Sequence, residues 1–213
     1  MSEKVKNVKK LLLGLISILL LCGFSAKDFD INNLQSYHKE FKTEEITVCS
    51  SSSVKTYMSY KAITNTASKQ YEIISSLNID ETTGFLYDED GFIAAALGAS
   101  FGELGSRYYF TLSSGVVIPV IKADAKSINH VPNGCATDGG SVIEFIIDED
   151  ISKEYFGQGP SGLASFGNFN NDSRFEGSIV KVEKVLDEKV EEDITYEENI
   201  DVVNEMNFND ITY

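Results

Sequence analysis

From Val54 to Val185 the chain is a series of short apolar stretches cut by turn residues. "TYMSYKAI" alternates Tyr57, Ser59 and Lys61 with Met58, Tyr60 and Ala62, the period-two pattern of a strand with two different faces. "QYEIIS" follows as a second β stretch, and "ETTGFLYDEDG" carries turn residues around an acidic tip. "GFIAAALG" is a strand of small apolar residues. "RYYFTL" and "VVIPVIK" flank Ser113–Gly115, a hairpin signal. "SVIEFIID" is one more strand; a Gly/Ser/Asn-rich loop from Gly157 separates it from "EGSIVKVEKVL". Roughly seven short strands, with turn signals about every ten to fifteen residues and no long helical pattern, predict an all-β barrel or sandwich.

The flanks read differently. Residues 27–49 are polar with a weak helical stripe at Leu34, Tyr37, His38 and Phe41, and Asp30 and Asn32 are available as caps. Ser50 to Ser53 reads as a flexible joint. Beyond Val185 acids dominate, which predicts a disordered tail, solvated or docked on a basic protein partner. The expected organisation is therefore 1–26 targeting segment, 27–53 polar helical segment and Ser linker, 54–186 β domain, and 187–213 acidic tail.

The first 26 residues have the parts of a secretory signal: lysines, an apolar run from Leu11 to Leu21, then Ser25 and Ala26. The run is short for a membrane span. Phe24 is a poor residue near the cleavage site, and Leu21 before Cys22 departs from a lipoprotein signal. A cleaved signal, a lipoprotein and an uncleaved anchor thus stay open, and all three place the domain outside the cytoplasm. The membrane would be met only through this segment. It carries a net +3, so the formal charge of −15 becomes −18 without it. Such a chain does not track a phosphate backbone, which excludes nucleic acid as the expected partner. Outside the cell Cys49 and Cys135 can pair, although nothing in the sequence brings them together. Two thiols are too few for a structural zinc site.

Candidate chemistry starts from what is missing. There is no Gly-rich phosphate loop, no HExxH and no GxSxG. Cys135 and His130 form only a weak nucleophile–base pair within a Gly/Pro/Asn loop. In "VIKADAKSINH" an apolar strand breaks off at Asp124, with Lys126 and His130 close behind. Asp124 is either a turn cap or a reactive carboxylate at a strand end. Glu144 is either a second acid of the same site or an inward acid paired with Lys122 or Arg107. His130 is a loop histidine, a hydrogen-bond partner of Asp124, or part of an oxygen/nitrogen metal set with Asp124 and Asp138.

The order of parts from "TYMSYKAIT" to "VIEF" resembles the double-psi β-barrel family of cell-wall proteins: the three-aspartate (3D) domain, rare lipoprotein A and membrane-bound lytic transglycosylase A. "ELGS" stands where those families have "PLGT", "KADAKS" where they have "A.DtG", and "VIEF" where they have "iDlf". The likeness covers about residues 56–148. It departs from the pattern where Ala125 and Lys126 replace the residues after the aspartate, and where Glu144 replaces an aspartate. The chain also resembles a family of low-GC Gram-positive bacteria and their mobile elements, through "YMSYKAIT", "LGASFG", "ADAKSINH" and "GGSVIEFIID", and that likeness implies no activity.

The resemblance implies a six-to-seven-stranded double-psi β-barrel in an exported bacterial protein. It implies Asp124 as the acid/base of peptidoglycan lytic transglycosylation, Glu144 as its partner, and no cofactor. That chemistry needs a carboxyl group still protonated near neutral pH, which burial and a like charge both favour. Lys126 pointing inward would oppose it. Lys126, His130, Tyr60 and Ser100 are the expected binding residues, Ser100 standing near the family's "LPLGT"; Tyr60, with Tyr57 and Tyr71, either offers rings on which sugars stack or belongs to the barrel surface. The alternative is a non-catalytic module that holds glycan or a protein on the cell surface.

Overall fold

The computed structural model describes residues 30–36, 41–47, 49, 53–157 and 169–189. The targeting segment, His38, most of the serine joint and the tail beyond Lys189 lie outside the described residues.

Among the described residues nine strands form one sheet: β1 (Phe41–Ile46), β2 (Thr56–Ser59), β3 (Asn78–Ile79), β4 (Leu86–Tyr87), β5 (Ile93–Leu97), β6 (Arg107–Leu112), β7 (Val117–Ala125), β8 (Glu144–Ile147) and β9 (Ile179–Lys189). The main path runs β1–β9–β6–β7–β5, and β5 then borders both the β4–β3 hairpin and the β8–β2 pair. β5 with β7 and β2 with β8 are parallel, while the other pairings are antiparallel. The β-rich class is as expected. The strand count is higher, because the acidic turn region forms the β3–β4 hairpin and β1 joins the sheet. Among the described residues the hydrogen-bonded path does not close on itself: β1 pairs with β9 and β2 with β8, and β1 and β2 do not pair with each other.

Both faces of the sheet are covered. One core packs Phe85, Phe145, Phe169 and Phe175 against Tyr108 and Phe110. The other packs Phe92, Tyr109 and Ile146 against Ile73 and Ile74. Every residue of β5 is buried. A strand covered on both sides has no polar face, which is why "IAAAL" reads as a continuous apolar run.

Two expectations of local structure change. "QYEIIS" lies in a helix, α1 (Lys69–Ser76). The Ser68 hydroxyl accepts the Tyr71 N–H, closing the first turn, and Ile73 and Ile74 dock on the second core. Capping and docking outweigh the β preference of the Ile pair. Phe41, expected on a helical stripe, begins β1 with its ring buried against Phe92; among the described residues of that segment, Ile31–Ser36 is helical, as a 3-10 turn. A second helix, α2 (Glu149–Phe156), follows β8, where the Asp148 carboxylate accepts the N–H groups of Asp150 and Ile151. Among the described residues no helix is long and apolar enough to cross a membrane.

Candidate functional site

Asp124 and Glu144 come together on one face of the sheet. Ala96 of β5 registers with Asp124 of β7 on one side and with Glu144 of β8 on the other, and Thr56 of β2 continues the row beyond Glu144. A bulge decides this. The β5–β7 register steps from Ala95↔Lys122 to Ala96↔Asp124, so Ala123 has no partner. A one-residue slip moves a side chain to the opposite face. Without the extra residue Ala96 would register with Ala123, and Asp124 would point away from Glu144. Ala96 is small, so its methyl leaves open the space between the two carboxyl groups.

These residues line a cavity of about 580 Å3. Its floor comes from the strands through Thr56, Met58, Ala96, Asp124 and Glu144. Its rim comes from the loop between β7 and β8, which supplies Lys126, Asn129, His130, Thr137 and Asp138. That loop has no regular structure and is pinned from several sides. Asn133 Oδ1 accepts the N–H groups of Cys135 and Ala136. Ser100 N–H donates to Gly134 O. Thr137 and Ser141 exchange two hydrogen bonds. A Cys49–Cys135 disulfide ties the loop to the chain ahead of β2, resolving the pairing that the sequence leaves open.

The electrostatics of the cavity are set by burial. Burial pushes the Glu144 carboxyl above its ordinary range; the Lys126 ammonium pulls it back, the Asp124 charge pushes it up further, and His130 lowers it. Lys126 does point inward: it is buried and donates to Ser141 O at 3.3 Å. Burial lowers its pKa and Glu144 raises it. Both shifts run toward the neutral form, because burial penalises each charge and the attraction between them offsets only part of that. Glu144 is paired with neither of the basic residues considered for it. Lys122 donates to the carbonyls of Gly98 and Gly102, at 2.9 and 2.6 Å. Arg107 bonds Asp88 and Asp90. Asp124 is half-buried and accepts a short bond from the adjacent Ala125 N–H, which leaves its other oxygen for the cavity.

Asp124, Glu144, Lys126 and His130 thus meet in one cavity. Ser100 and Tyr60 do not join them. Ser100 sits on the 3-10 turn Ala99–Phe101, behind Gly134 and outside the lining. β2 ends at Ser59, so the alternation breaks there; Tyr60 opens a 3-10 turn and packs on the second core. Tyr57 faces the first core, edge-on to Phe169 and half-buried, and is not among the residues lining the cavity. Sequence reasoning missed Thr56, Met58, Asn129 and Thr137. Among the described residues no group of three or more His, Cys, Asp or Glu side chains is placed to hold a metal. Comparison with protein-family models, with curated proteins and with solved structures finds no match.

Proposed function

We propose that the protein is an exported, cell-wall-associated protein that holds peptidoglycan glycan strands in this cavity and cleaves them by lytic transglycosylation. The observation that carries the reading is the lateral row Asp124–Ala96–Glu144: two carboxyl groups flanking a small residue in one open cavity, one of them with a raised pKa. The two parallel pairs, neither made of consecutive strands, agree with a double-psi ancestry for the sheet.

The roles divide by environment. Glu144, half-buried and with its carboxyl pushed above the ordinary range by burial, gives its proton to the glycosidic oxygen as the C1–O bond breaks. The Asp124 carboxylate stabilises the positive charge that develops at C1. The sugar's own hydroxyl then attacks C1, and its proton returns to Glu144. The resemblance assigns the acid to Asp124; burial favours Glu144. Incubation of peptidoglycan with the full chain is expected to release anhydro-muropeptides, and Glu144→Gln and Asp124→Asn are expected to release none. Native protein that is folded and yields no anhydro product would overturn the reading.

A second reading has an observation of its own. Lys126, which replaces a family residue after the aspartate, is buried beside Glu144 and opposes its protonation. A carboxylate held ionised by this lysine would bind glycan or protein without cleaving it. Under either reading the acidic composition of the tail suits a basic protein partner.

A further inference from the structure

The cavity that holds Glu144 does not end at Asp124. A second one, of about 300 Å3, lies on the other side, between the end of β2 and the start of α1. Met58 and Asp124 line both. Asp124 is the one ionisable residue in the second lining; Thr64, Asn65, Ser68 and Gln70 supply neutral hydroxyl and amide groups, and Met58 and Ile63 supply apolar surface.

Part of this polar set is committed to the fold. The Ser68 hydroxyl donates to Asn65 O and accepts the Tyr71 N–H. Asn65 Oδ1 accepts the Ala67 N–H. The Asn65 amide nitrogen, the whole Gln70 amide and the Thr64 hydroxyl have no partner among the described residues. They are held by a capped helix start and a 3-10 turn rather than by a long loop. Neutral donors and acceptors over an apolar floor suit a ring bearing hydroxyl and acetamido groups. A cation would find no counter-charge here except Asp124, and an anion would find none.

We propose that the second cavity receives the next unit of a linear, uncharged, hydroxyl- and amide-bearing polymer whose preceding units occupy the first, so that the chain crosses Asp124 and the cleft takes strand interiors rather than strand ends. The inference rests on the glycan reading above and adds the mode of engagement. The larger cavity has nearly twice the volume of the smaller, which suits two units on one side and one on the other.

The test is calorimetric titration of the full chain with chito-oligosaccharides of two to six units, in the Glu144→Gln background to prevent turnover and in the native chain at low temperature. A Thr64→Ala/Gln70→Ala variant is run beside them; it breaks no internal hydrogen bond. Affinity is expected to rise with length, by about tenfold or more between the shortest oligomer and those spanning both cavities. The double variant is expected to lose that gain and to keep the affinity for the shortest oligomer. Equal binding at all lengths, or a length gain that survives in the double variant, overturns the inference and leaves glycan binding standing. Binding at no length overturns both.

Discussion

Asp124 and Glu144 stand on either side of Ala96, in one row across three neighbouring strands. They share that row only because Ala123 is left unpaired in β7. The relationship makes Ala96 the floor between two acids. Ala96→Val adds two methyl groups there without touching either carboxyl group. Binding of chito-oligosaccharides and release of anhydro products are expected to fall at least tenfold. The melting temperature should drop modestly, because crowding a packed strand costs about 1–3 kcal/mol. Unchanged binding would mean that the ligand does not pass between the acids.

Glu144 gives a pH dependence of definite sign. Its folded pKa is raised, so between its unfolded and folded pKa the native chain binds the proton more tightly than the unfolded chain. Stability from this group therefore falls as pH rises through that window, upward from the ordinary carboxylate value of 4.5. Lys126→Met removes the neighbour that lowers the pKa, so the decline should extend to higher pH. Glu144→Gln should abolish it. Denaturation midpoints from pH 4 to 8 read all three curves, and a Lys126→Met curve that coincides with the native one would refute the coupling.

Lys55 supplies the opposite slope at alkaline pH. It is buried, donates to Ser53 O and Gly177 O, and burial lowers its pKa from 10.5 to about 8. Between those values the unfolded chain holds the proton and the folded chain does not, so this group's contribution makes stability rise with pH across that window. Lys55→Met should remove the rise. It should also cost about 1–3 kcal/mol by leaving two part-buried carbonyls without this donor. Urea midpoints between pH 7.5 and 10.5 measure both effects.

The Cys49–Cys135 bond spans 86 residues and ends in the loop that rims the cavity. Cys49→Ser/Cys135→Ser is expected to lose about 2–5 kcal/mol. The loss should concentrate in that loop, read as faster amide exchange from Lys126 to Gly140 while the β5–β8 amides stay protected. Uniform loss across the domain would show that the bond stabilises the whole fold rather than the rim.

Gly98 is required for a close approach. A Cβ there would lie 2.1 Å from Gly134 O and 2.6 Å from Gly134 C, both backbone atoms. Gly98→Ala forces the 3-10 turn Ala99–Phe101 and the rim loop apart and should cost about 1–3 kcal/mol. Its φ of −66° suits alanine, so the cost is contact alone. A melting curve equal to the native one would rule the contact out as a constraint.

Much of the strand content was legible because apolar runs bounded by Gly, Ser and Asp mark β5, β6, β7, β8 and β9 whichever strands they pair with. "SSG" likewise fixed the β6–β7 hairpin, since turn chemistry is local. α1 was misread because Tyr71, Ile73 and Ile74 have strand-like side chains, and only the Ser68 cap and the core beneath make them helical. β1 was misread because a strand carrying Lys42, Glu44 and Glu45 shows its role only when β9 lies beside it.

Asp124, Glu144, Lys126 and His130 could be singled out from local cues: a strand that stops on an acid, an acid inside an apolar run, and cations a few positions away. Residue type and spacing along the chain determined those candidates. Tertiary structure decided the rest. Whether two acids twenty residues apart face each other depends on strand order, on one unpaired alanine and on the size of Ala96, because a strand shows its two faces alternately and one residue of register exchanges them. Burial, which separates Glu144 and Lys126 from their exposed counterparts, likewise belongs to the assembled sheet and its rim loop.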